Sequence, residues 1–213
     1  MNLKLPDNID VNFGRKLVEH LGGDPTPIKD DWCWRKFAAR YPHLQPGVEE
    51  FISAATTGDP GLAAYLMVWS CGSDRAWAER VIERMTVGDQ GWAAYWMVRL
   101  RGSDRAWAER VIKRMTVGDQ GWAAFLMVAD CGSDRAWAEG VIERSTTGDP
   151  GYAAYCMVEV CGSSRAWAEG VIERAKTGGP GWAAHSMVED CGSSCAWAEG
   201  VKANFVEQKL NEK

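Results

Sequence analysis

The sequence predicts an all-α fold: an α-solenoid of six stacked helix–turn–helix repeats of about 30 residues, the first one degenerate. Three observations predict it. The chain repeats itself, since residues 61–90 read GLAAYLMVWSCGSDRAWAERVIERMTVGDQ and residues 91–120 read GWAAYWMVRLRGSDRAWAERVIKRMTVGDQ, with further repeats beginning at Gly121, Gly151 and Gly181. Within each repeat the apolar residues recur at helical spacing, and strand-like alternation is absent. A lone pair of helices this short cannot bury its apolar face, so the repeats must stack.

The elements follow in chain order. Residues 1–22 form a capping segment with a helix around Val11–Leu21. Residues 23–57 hold the degenerate repeat: shifted by one period, Glu49-Glu50-Phe51-Ile52 fall on Glu79-Arg80-Val81-Ile82, and Trp32 falls on Leu62. Residues 58–200 hold five regular repeats. Each first helix opens as at Gly58-Asp59-Pro60-Gly61, where Asp59 caps free N–H groups and Pro60 suits the first turn. It runs to about Cys71 and stops at Gly72, a residue able to take the left-handed conformation that ends helices. The second helix takes Ser73 as its cap and runs from Asp74 to about Met85. Trp77, Ala78, Val81, Ile82 and Met85 line one side; Asp74, Arg75, Glu79, Arg80, Glu83 and Arg84 line the other. One tryptophan per repeat (Trp77, Trp107, Trp137, Trp167, Trp197) reads as a structural ladder in the core. Gly140, Gly170 and Gly200 replace Arg80 in mid-helix, costing about 1 kcal/mol each; closer backbone approach is one explanation. Residues 201–213 extend the last helix.

Bulk properties narrow the function. Of 213 residues, 46% are hydrophobic and 25% charged, a balance able to bury a core. The formal charge of −5 works against nucleic acid as a partner. No apolar run approaches the roughly 20 residues of a membrane span, and the polar start is unlike a secretory signal, so a cytoplasmic address is expected. Four of the seven cysteines, Cys71, Cys131, Cys161 and Cys191, recur at multiples of the repeat. Stacked helices lie roughly 9–10 Å apart, beyond the ~7 Å limit for a disulfide, so these cysteines read as small packing residues. Gly-rich phosphate loops, HExxH and CxxC are absent, and His20, His43 and His185 share no motif. No catalytic residue, cofactor or metal is expected.

The pattern G-D-P-G-x-A-A followed by G-S-D-R-A-W-A-E-R-V-I resembles HEAT-like repeats of the phycobilisome-lyase type over about residues 58–201. Those share a period near 30, an Asp-Pro start, an Ala-Ala pair and a Gly-x-x-Arg-Ala link. This chain's first helix is about two residues shorter, and it lacks that family's Val-Arg pair. The Gly-Asp start and Ala-Ala-Tyr stretch are also similar to Sel1-like and other tetratricopeptide-type repeats. Both resemblances imply an α-solenoid that binds other proteins, and neither brings a catalytic residue to this chain.

Internal variation locates a candidate binding face. Between residues 61–90 and 91–120 only six positions differ, five of them in the first helix. Across the repeats the varying positions are those of residues 62, 65, 66, 69 and 70, one helical stripe opposite the constant Ala63, Ala64, Met67 and Val68. The column of Leu62 (Trp92, Trp122, Tyr152, Trp182) stays bulky and suits a wedge between repeats. The column of Tyr65 holds Tyr95, Phe125, Tyr155 and His185. The column of Leu66 holds Trp96, Leu126, Cys156 and Ser186, a range that a core tolerates poorly. The column of Trp69 holds Arg99, Ala129, Glu159 and Glu189, and that of Ser70 includes Asp130 and Asp190. With Trp32, Arg35 and Lys36 from the degenerate repeat, these residues form an expected aromatic-rich concave groove for a protein or extended peptide. Its charges are ordered: Arg35, Lys36, Arg40 and Arg99 come first, then Asp130, Glu159, Glu189 and Asp190, which would set a partner's direction. The alternative is a nucleic-acid-binding solenoid using two ladders on the second helices, Arg75, Arg105, Arg135 and Arg165 with Arg84, Arg114, Arg144 and Arg174. Glu79, Glu109, Glu139 and Glu169 interleave with them, as on a solvated face.

Overall fold

The computed structural model of the chain describes residues 3–6, 10–28 and 34–211, and among these every regular element is helical. Two compact units divide it, residues 1–104 and 105–213. The first holds α1 (Val11–His20), α2 (Trp34–Arg40), a 3-10 turn (Pro42–Leu44), α3 (Gln45–Ala54), α4 (Pro60–Cys71), α5 (Arg75–Arg84) and α6 (Gln90–Arg101). The second holds α7 (Arg105–Arg114), α8 (Gln120–Cys131), α9 (Arg135–Arg144), α10 (Pro150–Glu159), α11 (Arg165–Arg174), α12 (Pro180–Cys191) and α13 (Cys195–Asn211). The C-terminal extension is therefore continuous with the last second helix.

Neighbouring helices pack in sequence order, the arrangement of an α-solenoid. In the first unit α4 packs between α2 and α6; in the second α10 packs between α8 and α12. Second helices seat between successive first helices: α5 on α4 and α6, α9 on α8 and α10, α11 on α10 and α12. The constant residues make this possible. Ala63, Ala64 and Met67, with their counterparts in the five regular repeats, are buried together with Ala78, Val81 and Ile82 of the second helix. Paired alanines let first helices approach closely, and the longer Met and Ile side chains fill the layer between helices.

Caps bear out the first-helix boundaries. Asp59 Oδ1 accepts the Leu62 N–H at 2.8 Å, and Gly72 closes α4 in the left-handed region at φ 72°. At the second helix the expected cap is corrected. Asp74, not Ser73, accepts the Trp77 N–H, at 3.0 Å, while Ser73 is buried. The mid-helix glycines show no close backbone approach. A Cβ at Gly140 or Gly170 would meet only the Arg144 or Arg174 guanidinium, and one at Gly200 would meet nothing.

Polar bonds also tie each repeat to the next. Asp59 Oδ2 accepts the Asp89 N–H at 3.2 Å; Asp149 Oδ2 accepts the Gly179 N–H at 2.8 Å. Gly88 allows this closeness, since it lies at φ 76° and a Cβ there would stand 2.7 Å from the Asp59 carboxyl carbon. The Arg75 guanidinium donates to the Gly102 carbonyl at 2.8 Å, Arg135 to Gly162 at 2.7 Å and Arg165 to Gly192 at 2.8 Å; Arg105 reaches Gly132 likewise. Each arginine thus covers the carbonyl end of the following first helix, where a cation is favoured. Ser163 and Ser193 donate to Glu139 and Glu169 of the preceding repeat, both at 2.7 Å. At the positions of Asp149, Arg165 and Glu173, the last repeat carries Gly179, Cys195 and Ala203.

The tryptophan ladder lies less deep than expected. Trp107 is buried, but Trp77, Trp137, Trp167 and Trp197 are half-buried. Their indole N–H groups reach back one repeat: Trp167 donates to Glu143 at 2.8 Å, Trp197 to Glu173 at 2.7 Å and Trp77 to Ser53 at 2.9 Å. The residue 24 positions before Trp137 is Lys113, which cannot accept such a bond.

Candidate functional site

The varying stripe runs along the first helices, and the structure sorts its columns into packing and display. Leu62, Trp92, Trp122 and Tyr152 are half-buried, while Trp182 is 59% exposed. In the second unit these rings contact one another from repeat to repeat. Trp122 lies 5.5 Å from Tyr152 at an interplanar angle of 14°, and Tyr152 lies 5.3 Å from Trp182. This column is a wedge, as its constant bulk suggests.

The column of Tyr65 corrects the expectation of a partner-facing role. Tyr65, Tyr95, Phe125 and Tyr155 are only 2–8% exposed. In the first unit the next first helix covers the ring: Tyr65 stacks on Trp96 at 6.2 Å. His185, on the last first helix, is exposed, with Nε2 3.4 Å from Glu189 Oε1. The column of Leu66 is mixed. Leu66, Trp96 and Leu126 are half-buried, whereas Cys156 and Ser186 are buried, so smaller residues there are packed over and not displayed.

The columns of Trp69 and Ser70 are the displayed ones. Trp69 is 49% exposed, and Arg99, Ala129, Glu159 and Glu189 are exposed along the same column. Leu100, Asp130, Val160 and Asp190 are exposed in the next column, with Ser70 half-buried. In the degenerate repeat Lys36 and Arg40 are exposed. Trp32 and the side chain of Arg35 lie outside the described residues.

In the first unit two cations of α6, Arg99 and Arg101, lie against aromatic rings. Arg99 donates to the Tyr95 hydroxyl at 2.6 Å, and its guanidinium lies 5.8 Å from the Tyr95 ring centre and 6.0 Å from that of Trp96. Arg101 lies 5.0 Å from the Trp69 ring centre, a cation–π distance. Arg101 stands at the position of Cys71, Cys131, Cys161 and Cys191, outside the columns that the sequence marks as varying, so this contact was not anticipated. Its place two residues after Arg99, at the margin of the stripe, was the available signal.

In the second unit the displayed charges are carboxylates. The Tyr155 hydroxyl donates to Asp190 Oδ2 at 2.8 Å. That bond, with burial and neighbouring Glu159, holds its proton well above the ordinary tyrosine range. Burial likewise pushes the Cys156 thiol up to about 11. Among the described residues no cluster of three His, Cys, Asp or Glu side chains is placed to hold a metal ion. No described helix is long and apolar enough to cross a membrane. Compared with known proteins, the chain matches no family model, no curated protein and no solved structure.

Proposed function

We propose that the chain is a non-catalytic α-solenoid that binds a protein or extended peptide through the shared face of its first helices. One observation carries the reading: of the columns that differ between otherwise near-identical repeats, the one that varies most in chemistry, Trp69, Arg99, Ala129, Glu159 and Glu189, is exposed throughout. A constant core with a varying exposed face suits a scaffold that presents side chains to a partner. Tryptophan and arginine are the residues that most often anchor interfaces. The resemblance of the repeat to HEAT-like and Sel1-like solenoids agrees with this role, and the cytoplasmic address remains part of the reading. One of the two arginine ladders behind the nucleic-acid alternative, Arg75, Arg105, Arg135 and Arg165, has a structural use, donating to glycine carbonyls of the following repeat.

Comparative capture tests this. Wild type, a Trp69→Ala/Arg99→Glu variant and a Glu159→Lys/Glu189→Lys variant serve as baits, with circular dichroism confirming equal helicity. Proteins recovered by wild type and lost from a variant support the reading. Identical recovery by all three baits would sink it. Nucleic acid recovered alone, with binding that falls steeply in salt, would favour the alternative.

A further inference from the structure

We infer that the first-helix face of the N-terminal unit docks an acidic polypeptide segment bearing a large apolar side chain. The inference rests on the binding reading above and gives the partner its chemistry. Residues 34–40, 60–71 and 90–101, which form α2, α4 and α6, contain no Asp or Glu. They do carry Lys36, Arg40 and Arg99, all exposed, and half-buried Arg101. The second helix α5, by contrast, mixes both signs, with Arg75 paired to Glu79 at 3.7 Å. A one-sign face beside a mixed one is what complementarity to an acidic partner requires.

The arrangement of α4 and α6 sharpens the match. Arg101 is held at the Trp69 ring, and Arg99 at Tyr95 and Trp96, before any partner arrives. Restraining these long side chains lowers the ordering cost of binding. A guanidinium presents its N–H donors in a planar fork suited to carboxylates. The same helices also display apolar side chains, with Trp69 49% exposed, Leu100 36% exposed and Leu66 half-buried. Carboxylates flanking one apolar side chain satisfy both features. A long polyanion fits less well, because the chain's net charge of −5 opposes its accumulation.

Selection from a phage-displayed random peptide library on the immobilised full chain tests the inference. Recovered peptides should be enriched in Asp and Glu beside an aromatic or large aliphatic residue. Arg99→Gln/Arg101→Gln should weaken them at least tenfold, Arg99→Lys/Arg101→Lys less, and Trp69→Ala should also weaken them, all at unchanged helicity. Neutral or basic peptides, or peptides indifferent to both arginine variants yet lost with Trp69→Ala, overturn the acidic partner and leave the binding reading standing. If no peptide is recovered, whether or not a single-stranded oligonucleotide binds, both are overturned.

Discussion

Replacing Asp149 by alanine separates the two jobs of one carboxylate. Its Oδ1 accepts the Tyr152 N–H at 2.9 Å and caps α10, while its Oδ2 accepts the Gly179 N–H at 2.8 Å and holds the next loop. Loss of an N-cap costs about 1 kcal/mol. Loss of the acceptor for a partly buried N–H costs about 1–3 kcal/mol, toward the lower end where water can enter. The expected total is about 2–3 kcal/mol, a melting-temperature fall of roughly 4–12 °C for a chain of this size. Asp134→Ala is the matched control. Asp134 caps α9 through the Trp137 N–H at 2.9 Å, so its loss should cost only about 1 kcal/mol. Urea denaturation followed by circular dichroism measures both, and amide hydrogen exchange at Gly179 should accelerate only in the Asp149 variant. If the two variants agree within about 0.5 kcal/mol and Gly179 exchange is unchanged, the inter-repeat bond contributes nothing and the reasoning fails.

Burial ranks the tryptophans for thermal melts. Trp107→Ala should cost about 3–5 kcal/mol as a buried large-to-small change. Trp69→Ala should cost under about 1 kcal/mol, in the range of an exposed site. Trp96→Ala, whose ring packs against Tyr65, Trp92 and Tyr95, should fall between them; stability equal to wild type would refute its packing role. Gly200→Ala fills open space in a helix and should raise stability by about 1 kcal/mol, so any loss in a urea titration would reveal an unseen constraint. With its thiol raised from 9.0 to about 11, Cys156 should resist alkylation at pH 8 while exposed Cys195 reacts, as peptide mass spectrometry would report. Because the folded value lies above the ordinary one, its stabilising contribution is intact below about pH 9 and fades as pH rises toward 11; stability constant across that window would contradict the burial.

Fold class, repeat phase and first-helix caps were legible because they depend on local chemistry that recurs thirty residues apart: Asp59, Pro60, Gly72 and the Ala-Ala pair act within one turn of where they stand. The exposed column of Trp69, Arg99, Glu159 and Glu189 was legible too, since a position that tolerates Trp, Arg, Ala and Glu cannot be core. The fate of Tyr65, Tyr95, Phe125 and Tyr155 was not. A varying aromatic column reads alike whether it faces a partner or the neighbouring helix, and only stacking of one repeat on the next decides. The same holds for Arg75 and Asp149. Within a single repeat they are a surface cation and a helix cap. Their second bonds, to the Gly102 carbonyl and the Gly179 N–H, exist because a rise of one repeat returns the backbone to hydrogen-bonding distance. Tertiary stacking alone creates that proximity.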